Sequence, residues 1–370
     1  MVLFTRKTAI VLVAVLLPFW AAAQISTNGS NANAIPTAVP FLTISPDSRS
    51  GAMGDAGVAL SPDVNANYWN PSKLAFLPDD NEVSASYSPW LANLVPGISL
   101  SYLSFAHKID DRNSIGASLR YFNIGQVDLT GNQDESLGTF TPAEFSVDFS
   151  YARSFGEDFS LGLTARYIHS NLSNGSIASP TEGAGNAVAA DASMYYKKTM
   201  QEFGNDAQFA FGADISNIGT KMSYGPNQPA QFLPTNLKIG AANTWNFDNI
   251  SKLTFTLDLN KLLVPSNAGS DVSVPSGIFQ SFSDASGSME FKEIYYSAGL
   301  EYWYNNVFAL RGGYYYESPE TGGRNYLTLG VGFKYKEYGF DFSYIAASQQ
   351  SSPLANTLRF TLTAAFGQTK

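Results

Sequence analysis

Side chains that could carry acid–base, nucleophilic or metal chemistry are scarce in this chain. Its 370 residues include two histidines, His107 and His169, and no cysteine. Both histidines fall in segments that alternate apolar and polar residues, at different depths, with no third ligand to complete a metal site. The sequence also lacks a Gly-x-Ser-x-Gly elbow and a Gly-rich loop ending in Lys-Ser/Thr. We therefore expect no catalytic residues, no cofactor and no metal.

Composition narrows the class of protein further. The absence of cysteine excludes disulfides, lipoprotein anchoring and thiolate chemistry. The net charge of −9 argues against a nucleic-acid partner. Charged residues make up 14% of the chain and aromatic residues also 14%. Few charges and many aromatic residues are expected of a protein that faces lipid on one side.

The N-terminal residues predict export. Residues 1–23 have the pattern of a signal peptide, with Arg6 and Lys7 before an apolar run and Ala-Ala-Ala at 21–23. A membrane anchor is the alternative, but the apolar run is short for a spanning helix. Residues 24–33 are polar and expected to be flexible. Residues 34–82 are rich in Pro, Gly and Ala and predict a compact segment with helical turns at 52–60 and 71–76.

Fourteen segments show the period-2 alternation of β-strands. In one of them Ile115, Ala117, Leu119 and Tyr121 alternate with polar or small residues. The predicted strands are 83–91, 97–108, 113–124, 142–155, 158–170, 186–198, 206–217, 235–247, 250–263, 291–304, 306–318, 323–336, 337–348 and 355–367.

The connections between these segments indicate how they close. Long connections at 125–141, 171–185, 218–234 and 264–290 alternate with short turns. Bacterial outer-membrane barrels have short periplasmic turns, longer outer loops and an even strand count. We therefore predict an all-β fold: a 14-stranded antiparallel transmembrane β-barrel over 83–370, with both termini in the periplasm. A soluble β-sandwich is the alternative, but it has no reason to collect its long loops at one end.

The two faces of the predicted strands differ in chemistry. A lone charge at mid-depth on the lipid face costs about 2–4 kcal/mol, so the charged residues should face the lumen. There they form either a lattice that holds an inner plug or a selectivity ring, and their mixed signs favour the lattice. These residues are Arg120, Asp148, Arg166, Asp214, Lys238, Asp258, Glu301, Arg311, Lys334, Asp341 and Arg359.

Aromatic residues near the predicted strand ends suit an interfacial girdle. They are Tyr102, Tyr121, Tyr151, Tyr167, Trp245, Tyr302, Tyr304, Tyr314, Tyr316, Tyr335 and Tyr344. An outward row in the last strand resembles the terminal aromatic signature of outer-membrane barrels, and consists of Leu358, Phe360, Leu362, Ala364 and Phe366.

The most distinctive motif precedes the strands, between residues 45 and 76. Small residues alternate there with an Arg and an Asp, and Asn-Pro then starts a helical turn. A segment of this kind can pack closely inside a barrel. The residues of the motif are Arg49, Gly51, Met53, Gly54, Asp55, Gly57, Trp69, Asn70 and Pro71. The charges of Arg49 and Asp55 need partners. The candidates are each other or lumen residues such as Arg166 or Asp258.

This motif resembles the N-terminal hatch of the FadL superfamily of fourteen-stranded outer-membrane proteins. The longer pattern, Pro-Asp-x-Arg-x-Gly-x-Met-Gly-Asp-x-Gly followed by Trp-Asn-Pro-x-Lys, is similar to the PorV (LptO) family of the type IX secretion system. The match at the motif covers about 35 residues, and the strand layout extends it less specifically over the mature chain.

The resemblance implies an outer-membrane cargo receptor and shuttle rather than an enzyme. Its partners would be a SprA- or Sov-like translocon, the C-terminal signal domains of secreted cargo, a PorU-like surface sortase, and outer-membrane lipid or lipopolysaccharide. The alternatives are a FadL-like channel for hydrophobic small molecules and a lipid A deacylase. Phe279, Phe282 and Phe291, in and beside the longest loop, are the candidate anchors for protein partners. The alternative is that these three side chains pack the loop onto the barrel mouth.

Overall fold

A computed structural model describes residues 34–91, 97–130, 135–172, 183–226, 228–248, 250–266, 271–347, 354 and 356–368. The predicted signal peptide at 1–23 and the polar stretch at 24–33 lie outside these residues. Most of the predicted loop at 171–185 lies outside them as well.

Fourteen antiparallel strands form one closed barrel, which confirms the predicted fold. Each strand pairs with its neighbours in the chain, and β1 closes the wall against β16. Two further short strands, β4 (Val127–Thr130) and β5 (Ser136–Phe140), pair in the predicted loop 125–141. The barrel strands are β1 (Asp79–Pro89), β2 (Ile98–Lys108), β3 (Asn113–Ile124), β6 (Ala143–Ser154), β7 (Phe159–Asn171), β8 (Gly185–Glu202), β9 (Asn205–Gly219), β10 (Asn236–Asn246), β11 (Ser251–Leu262), β12 (Ile294–Tyr304), β13 (Phe308–Tyr316), β14 (Asn325–Tyr335), β15 (Tyr338–Ala347) and β16 (Thr357–Gln368).

Two strand starts differ from the prediction by more than two residues. β1 begins at Asp79 rather than at 83, because the polar residues before Val83 still pair with β16. β12 begins at Ile294 rather than at 291, because a short helix, Gly287–Lys292, occupies the end of the preceding loop. The same loop contains a second helix, Val274–Gln280, which begins after the capping hydroxyl of Ser273.

The predicted division of side chains between the lipid face and the lumen face is confirmed, with one exception. Apolar side chains such as Leu163, Leu257 and Leu362 are exposed on the outer face, where lipid lies around a transmembrane barrel. The charged side chains of the predicted lattice are on the other face. Tyr102 was predicted in the girdle, but it is 1% exposed and packs with Tyr68 inside the barrel. Its neighbours Leu103 and Phe105 take the outer face, so the alternation sends Tyr102 inward.

Residues 34–78 fold inside the barrel as a plug. They contain only short helical turns, at Pro40–Thr43, Ser48–Gly51, Ala66–Trp69 and Pro71–Phe76. The helical turn predicted at 52–60 is wrong, because Gly54 and Asp55 adopt positive φ angles of 72° and 60°. The helix therefore ends, and the chain turns along the wall. Among the described residues, no helix has the length and apolar character needed to cross a membrane.

The plug runs from one end of the barrel to the other. Near its start, the Ala38 amide donates to the carbonyl of Phe232, which lies in the long connection between β9 and β10. Residue 78 leads into β1, whose first residue, Asp79, pairs with Gln368 at the short-turn end. The chain thus descends through the lumen from the long-loop end and enters the wall at the other end.

Candidate functional site

A chain of ion pairs joins the plug to one side of the wall. The guanidinium of Arg49 donates to both carboxylate oxygens of Glu301, at 3.0 and 2.8 Å, and to Asp63 of the plug at 2.8 Å. Glu301 also accepts from Nε of Arg311 at 2.7 Å, and Arg311 continues to Asp341 at 2.5 Å. The Glu301 carboxylate is buried between two guanidinium groups, so its charge depends on both of them.

A second charged contact holds the plug to β14 and β16, on the same side of the wall. Asp55 accepts from Arg359 of β16 at 2.7 Å and from the Tyr326 hydroxyl of β14 at 2.5 Å. Arg49 and Asp55 therefore pair with lumen residues of the wall, as one of the predicted alternatives had it, but not with each other, Arg166 or Asp258. Arg166 instead bonds Asp148 and Asp191 within the wall. Glu301 and Arg359 lie 252 and 304 residues from Arg49 and Asp55 in the chain, beyond the reach of a local pattern.

Asp258 of β11 binds the backbone of the plug rather than a cation. Its Oδ2 accepts from the amides of Gly57 and Val58 at 2.7 and 2.9 Å. From the other side, Nζ of Lys73 donates to the Gly57 carbonyl at 2.7 Å. Lys73 lies in the plug and is 2% exposed, and this burial lowers its pKa to about 8. The segment around Gly57 is thus held by two buried charged groups.

The Trp-Asn-Pro part of the motif connects the plug to itself and to β8. The indole N–H of Trp69 donates to Asp47 at 2.6 Å, and Asp47 also caps the helix Ser48–Gly51. The Asn70 amide donates to the carbonyls of Val58 and Met194, both at 3.0 Å. Pro71 then opens the turn Pro71–Phe76, as the sequence predicted.

Glycines allow the plug backbone to touch the wall. A β-carbon on Gly54 would lie 2.5 Å from the Tyr314 carbonyl oxygen, and one on Gly313 of β13 would lie 2.7 Å from the Met53 carbonyl oxygen. Gly51 and Gly57 leave room for the Arg359 and Trp69 side chains in the same way. Sequence reasoning missed the wall glycines, although they occupy lumen-facing positions of strands, where a missing side chain is informative.

The remaining lumen charges form a lattice of mixed sign. Arg166 bonds Asp148 at 2.7 Å and Asp191 at 2.9 Å, and Lys238 bonds Asp214 at 3.2 Å. Lys238 also donates to the backbone carbonyl of Tyr68, and Arg120 donates to that of Leu42. The lattice is therefore hydrogen-bonded to the plug. These contacts favour the holding lattice over a selectivity ring.

Two cavities lie on either side of the plug. The larger, of about 770 Å³, opens at the short-turn end, and Arg49, Asp63, Glu82, Lys334 and Asp341 are among its lining residues. The smaller, of about 90 Å³, lies toward the long loops and has aromatic walls that include Trp90 and Tyr315. Within the described residues, the plug separates the two, and the larger space is strongly charged.

The long connection between β11 and β12 presents the predicted anchor residues to solvent. Phe279, Phe282 and Phe291 are 77%, 50% and 71% exposed. The loop is tied to the wall by Lys261 of β11, whose Nζ donates to Glu290 at 3.0 Å and to Glu293. Residues 271–293 of the loop are therefore held at the wall without burying these phenylalanines.

Another phenylalanine packs this loop onto the barrel mouth. Phe232, from the connection between β9 and β10, is 7% exposed. Its ring lies where a side chain on Gly277 would be, and the ammonium of Lys221 lies 4.0 Å from its centroid. The packing role considered for Phe279, Phe282 and Phe291 thus belongs to Phe232.

The two histidines do not meet. Nδ1 of His107 bonds Asn81 at 2.9 Å, and Nδ1 of His169 bonds Asn186 at 2.8 Å. His107 lies near the short-turn end of β2 and His169 near the long-loop end of β7. Among the described residues, neither one is bonded to a serine, an aspartate or a glutamate.

Solved structures share this fold at low sequence identity. The toluene transporter TodX of P. putida has a TM-score of 0.50 and 12% identity, and the match covers 87% of this chain and 99% of TodX. The Ralstonia pickettii toluene transporter TbuX has a TM-score of 0.46 and 13% identity, covering 86% and 98%. A Pseudomonas aeruginosa FadL homologue has a TM-score of 0.41 and 11% identity, covering 88% and 99%. No curated protein matches the chain.

The closed wall of fourteen strands and the inner plug define an outer-membrane β-barrel of the FadL-like fold. Within that class, the model of the type IX secretion system protein PorV matches residues 27–269. The chain belongs to the PorV family, and it is an outer-membrane protein of the type IX secretion system.

Proposed function

We propose that this protein is the cargo receptor and shuttle of its secretion system. It binds the C-terminal signal domains of secreted proteins at its outer loops. It then takes them from the translocon to the surface sortase and its attachment complex. Family membership supports the secretion role. The further steps, from cargo binding to delivery, are the proposal.

The observation that carries the proposal is the loop between β11 and β12. Two short helices give it a fixed shape, and Lys261 ties it to the wall. Exposed aromatic residues on an ordered support are the usual anchors of a protein interface, because they bury a large area with little loss of conformational freedom. Phe279, Phe282 and Phe291 supply such anchors at the long-loop end.

A channel for hydrophobic small molecules is the second candidate, because the toluene transporter TodX shares the fold. Such a channel needs an apolar pocket beside the plug and a way through it. The larger cavity is instead lined by Arg49, Asp63 and other charged residues. The pairing of β2, β3 and β6 is continuous over their described lengths, so no lateral gap opens there. Lipid A deacylation is less favoured, since neither histidine has an acidic partner among the described residues.

Shortening residues 268–288 to a Gly/Ser linker tests the proposal. The barrel should assemble, because the plug and wall contacts lie elsewhere, and should still migrate faster unheated than boiled. The amount of signal-domain cargo, or of the sortase, that copurifies with the shortened protein should fall. A linker of the same length replacing the β4–β5 hairpin, residues 127–140, is the control.

A deletion strain separates the two candidates. Without the protein, cargo with C-terminal signal domains should remain unprocessed, while uptake of fatty acids stays near normal. Normal cargo processing in that strain would contradict the shuttle and favour the channel.

A further inference from the structure

The hairpin of β8 and β9 extends past the neighbouring strand at the short-turn end. The last residue of β8 paired with β7 is Tyr196, and the Lys197 amide donates to the carbonyl of Asp158 at 2.8 Å. β8 nevertheless continues to Glu202, and residues 198–202 pair only with β9. One edge of this segment therefore faces no strand among the described residues.

The orientation of the free backbone groups follows from the pairing. In an antiparallel sheet, successive residues direct their N–H and C=O groups to opposite neighbours. Lys197 points toward β7, so Thr199 and Gln201 point to the same, open side. These groups cannot face hydrocarbon, because unpaired backbone is not tolerated there. The overhang must lie in water, which at the short-turn end of an outer-membrane barrel is the periplasm.

The tip of this hairpin carries a residue that its turn does not favour. Phe203 and Gly204 join Glu202 to Asn205, with φ angles of 54° and 78°. Such two-residue turns prefer Asn-Gly, because a bulky residue in the left-handed region is strained. In the turn after β12, the same conformation is occupied by Asn305 and Asn306. Phe203 is 91% exposed, so no packing offsets its strain.

Most polar side chains around the edge are already bonded, and Lys198 gives the edge a positive charge. Glu202 accepts from Asn243 and Trp245, both at 2.7 Å, and Gln201 is bonded to Asp206. Lys198 is exposed and has no ion pair with a described residue. The open edge therefore offers backbone donors and acceptors, one uncommitted positive charge and an exposed aromatic ring.

We propose that residues 198–203 are a periplasmic docking site for an extended peptide segment of a partner protein. The segment adds as a strand to the open edge of β8, through the backbone groups of Thr199 and Gln201. It places an acidic residue near Lys198 and an apolar side chain against Phe203. This contact is on the opposite end of the barrel from the proposed cargo site, and it does not rest on cargo binding there.

Photocrosslinking in intact cells tests the site. Benzoylphenylalanine replaces Phe203 in the full-length protein, and the same probe at Phe247, in a neighbouring short turn, is the control. We expect a protein adduct from position 203 that maps to an acidic, extended segment, and none from position 247. An adduct with lipid alone, or no adduct, would overturn the proposal.

Two paired variants make the test specific to the edge. Thr199→Pro removes the outward N–H without touching the bonds to β9, whereas Thr199→Ala keeps it. The adduct should be lost with proline and retained with alanine; an equal yield in both would overturn strand addition. If the proline variant does not form a heat-modifiable barrel, Lys198→Glu replaces it. Charge reversal should reduce the adduct, and an unchanged yield would count against the site.

The turn provides an independent readout. Phe203→Asn installs the residue that this conformation favours, so the thermal midpoint should rise or stay the same while the partner contact is lost. A lower midpoint would mean that Phe203 serves the fold, and would contradict its assignment to a partner.

Discussion

The plug and the loop between β11 and β12 use their conspicuous side chains in opposite ways. In the plug, Arg49 is held by Glu301 and Asp63, and the wall carboxylate is 1% exposed. In the loop, Phe279 and Phe291 are more than two-thirds exposed although the segment is ordered. The difference indicates that the plug contacts maintain the fold, whereas the loop leaves binding energy available for a partner.

Breaking the ion pairs of the plug should cause the largest loss in the free energy of unfolding. Glu301→Ala leaves the guanidinium groups of Arg49 and Arg311 without their shared carboxylate, and such a loss costs about 3–5 kcal/mol. Arg49→Ala should cost less, because Glu301 keeps Arg311 at 2.7 Å. Urea unfolding in detergent, followed by tryptophan fluorescence, measures the change.

An exposed ion pair is the matched control for this prediction. Lys292 and Glu320 lie 2.7 Å apart, but their side chains are 39% and 51% exposed. Glu320→Ala should change the free energy of unfolding by about 0–1 kcal/mol. Equal losses of stability in Glu301→Ala and Glu320→Ala would contradict the prediction that the buried plug contact contributes more than an exposed ion pair.

Adding a side chain where the plug backbone touches the wall should cause the next largest loss in the free energy of unfolding. Gly54 and Gly156 both have positive φ, but only Gly54 has wall atoms within reach of a β-carbon. Gly156→Ala should cost about 1–2 kcal/mol for the left-handed conformation alone. Gly54→Ala should cost a further 1–3 kcal/mol or so, because the side chain would overlap the Tyr314 backbone. If the two variants unfold alike, close packing does not fix the plug.

The contrast between these two regions also explains what the sequence could predict. Alternation is a local signal, so it located all fourteen strands and the lumen face that carries Arg311 and Asp341. It failed for Tyr102, where a general association of tyrosine with the girdle overrode the parity of the strand. It could not supply the partner of Arg49, because Glu301 is 252 residues away in the chain.

Other features had a signal that a stricter use of parity would have found. Gly299 and Gly313 pair across β12 and β13 at positions that face the plug, and their missing side chains make room for Met53. Helices in the loop 264–290 were hidden by its Ser- and Gly-rich composition, although Ser273 followed by Val274-Pro275 is a plausible start for a helix.

A pH dependence should separate the plug from the loop. Burial lowers the pKa of Lys73 from 10.5 to about 8, so between these values the unfolded chain binds more protons than the folded one. The free energy of unfolding should therefore rise with pH across this window. Lys73→Met removes the titrating group and should flatten the rise, whereas Lys292→Met, in the loop, should leave it. A rise that persists in Lys73→Met would contradict this assignment.

The smallest effect on stability should come with the largest effect on binding. Phe279→Ser removes a ring that is 77% exposed, so the free energy of unfolding should change by no more than about 0.5 kcal/mol. Loss of an interface anchor, in contrast, should weaken signal-domain binding by about 1–2 kcal/mol, or roughly 5–30-fold in Kd. Tyr335→Ser, at a residue 73% exposed near the short-turn end, should leave cargo affinity unchanged. Titration of purified signal domain against the detergent-solubilised variants measures both. If Phe279→Ser destabilises the protein without weakening binding, the loop belongs with the plug as part of the fold, and the functional division between the two regions is wrong.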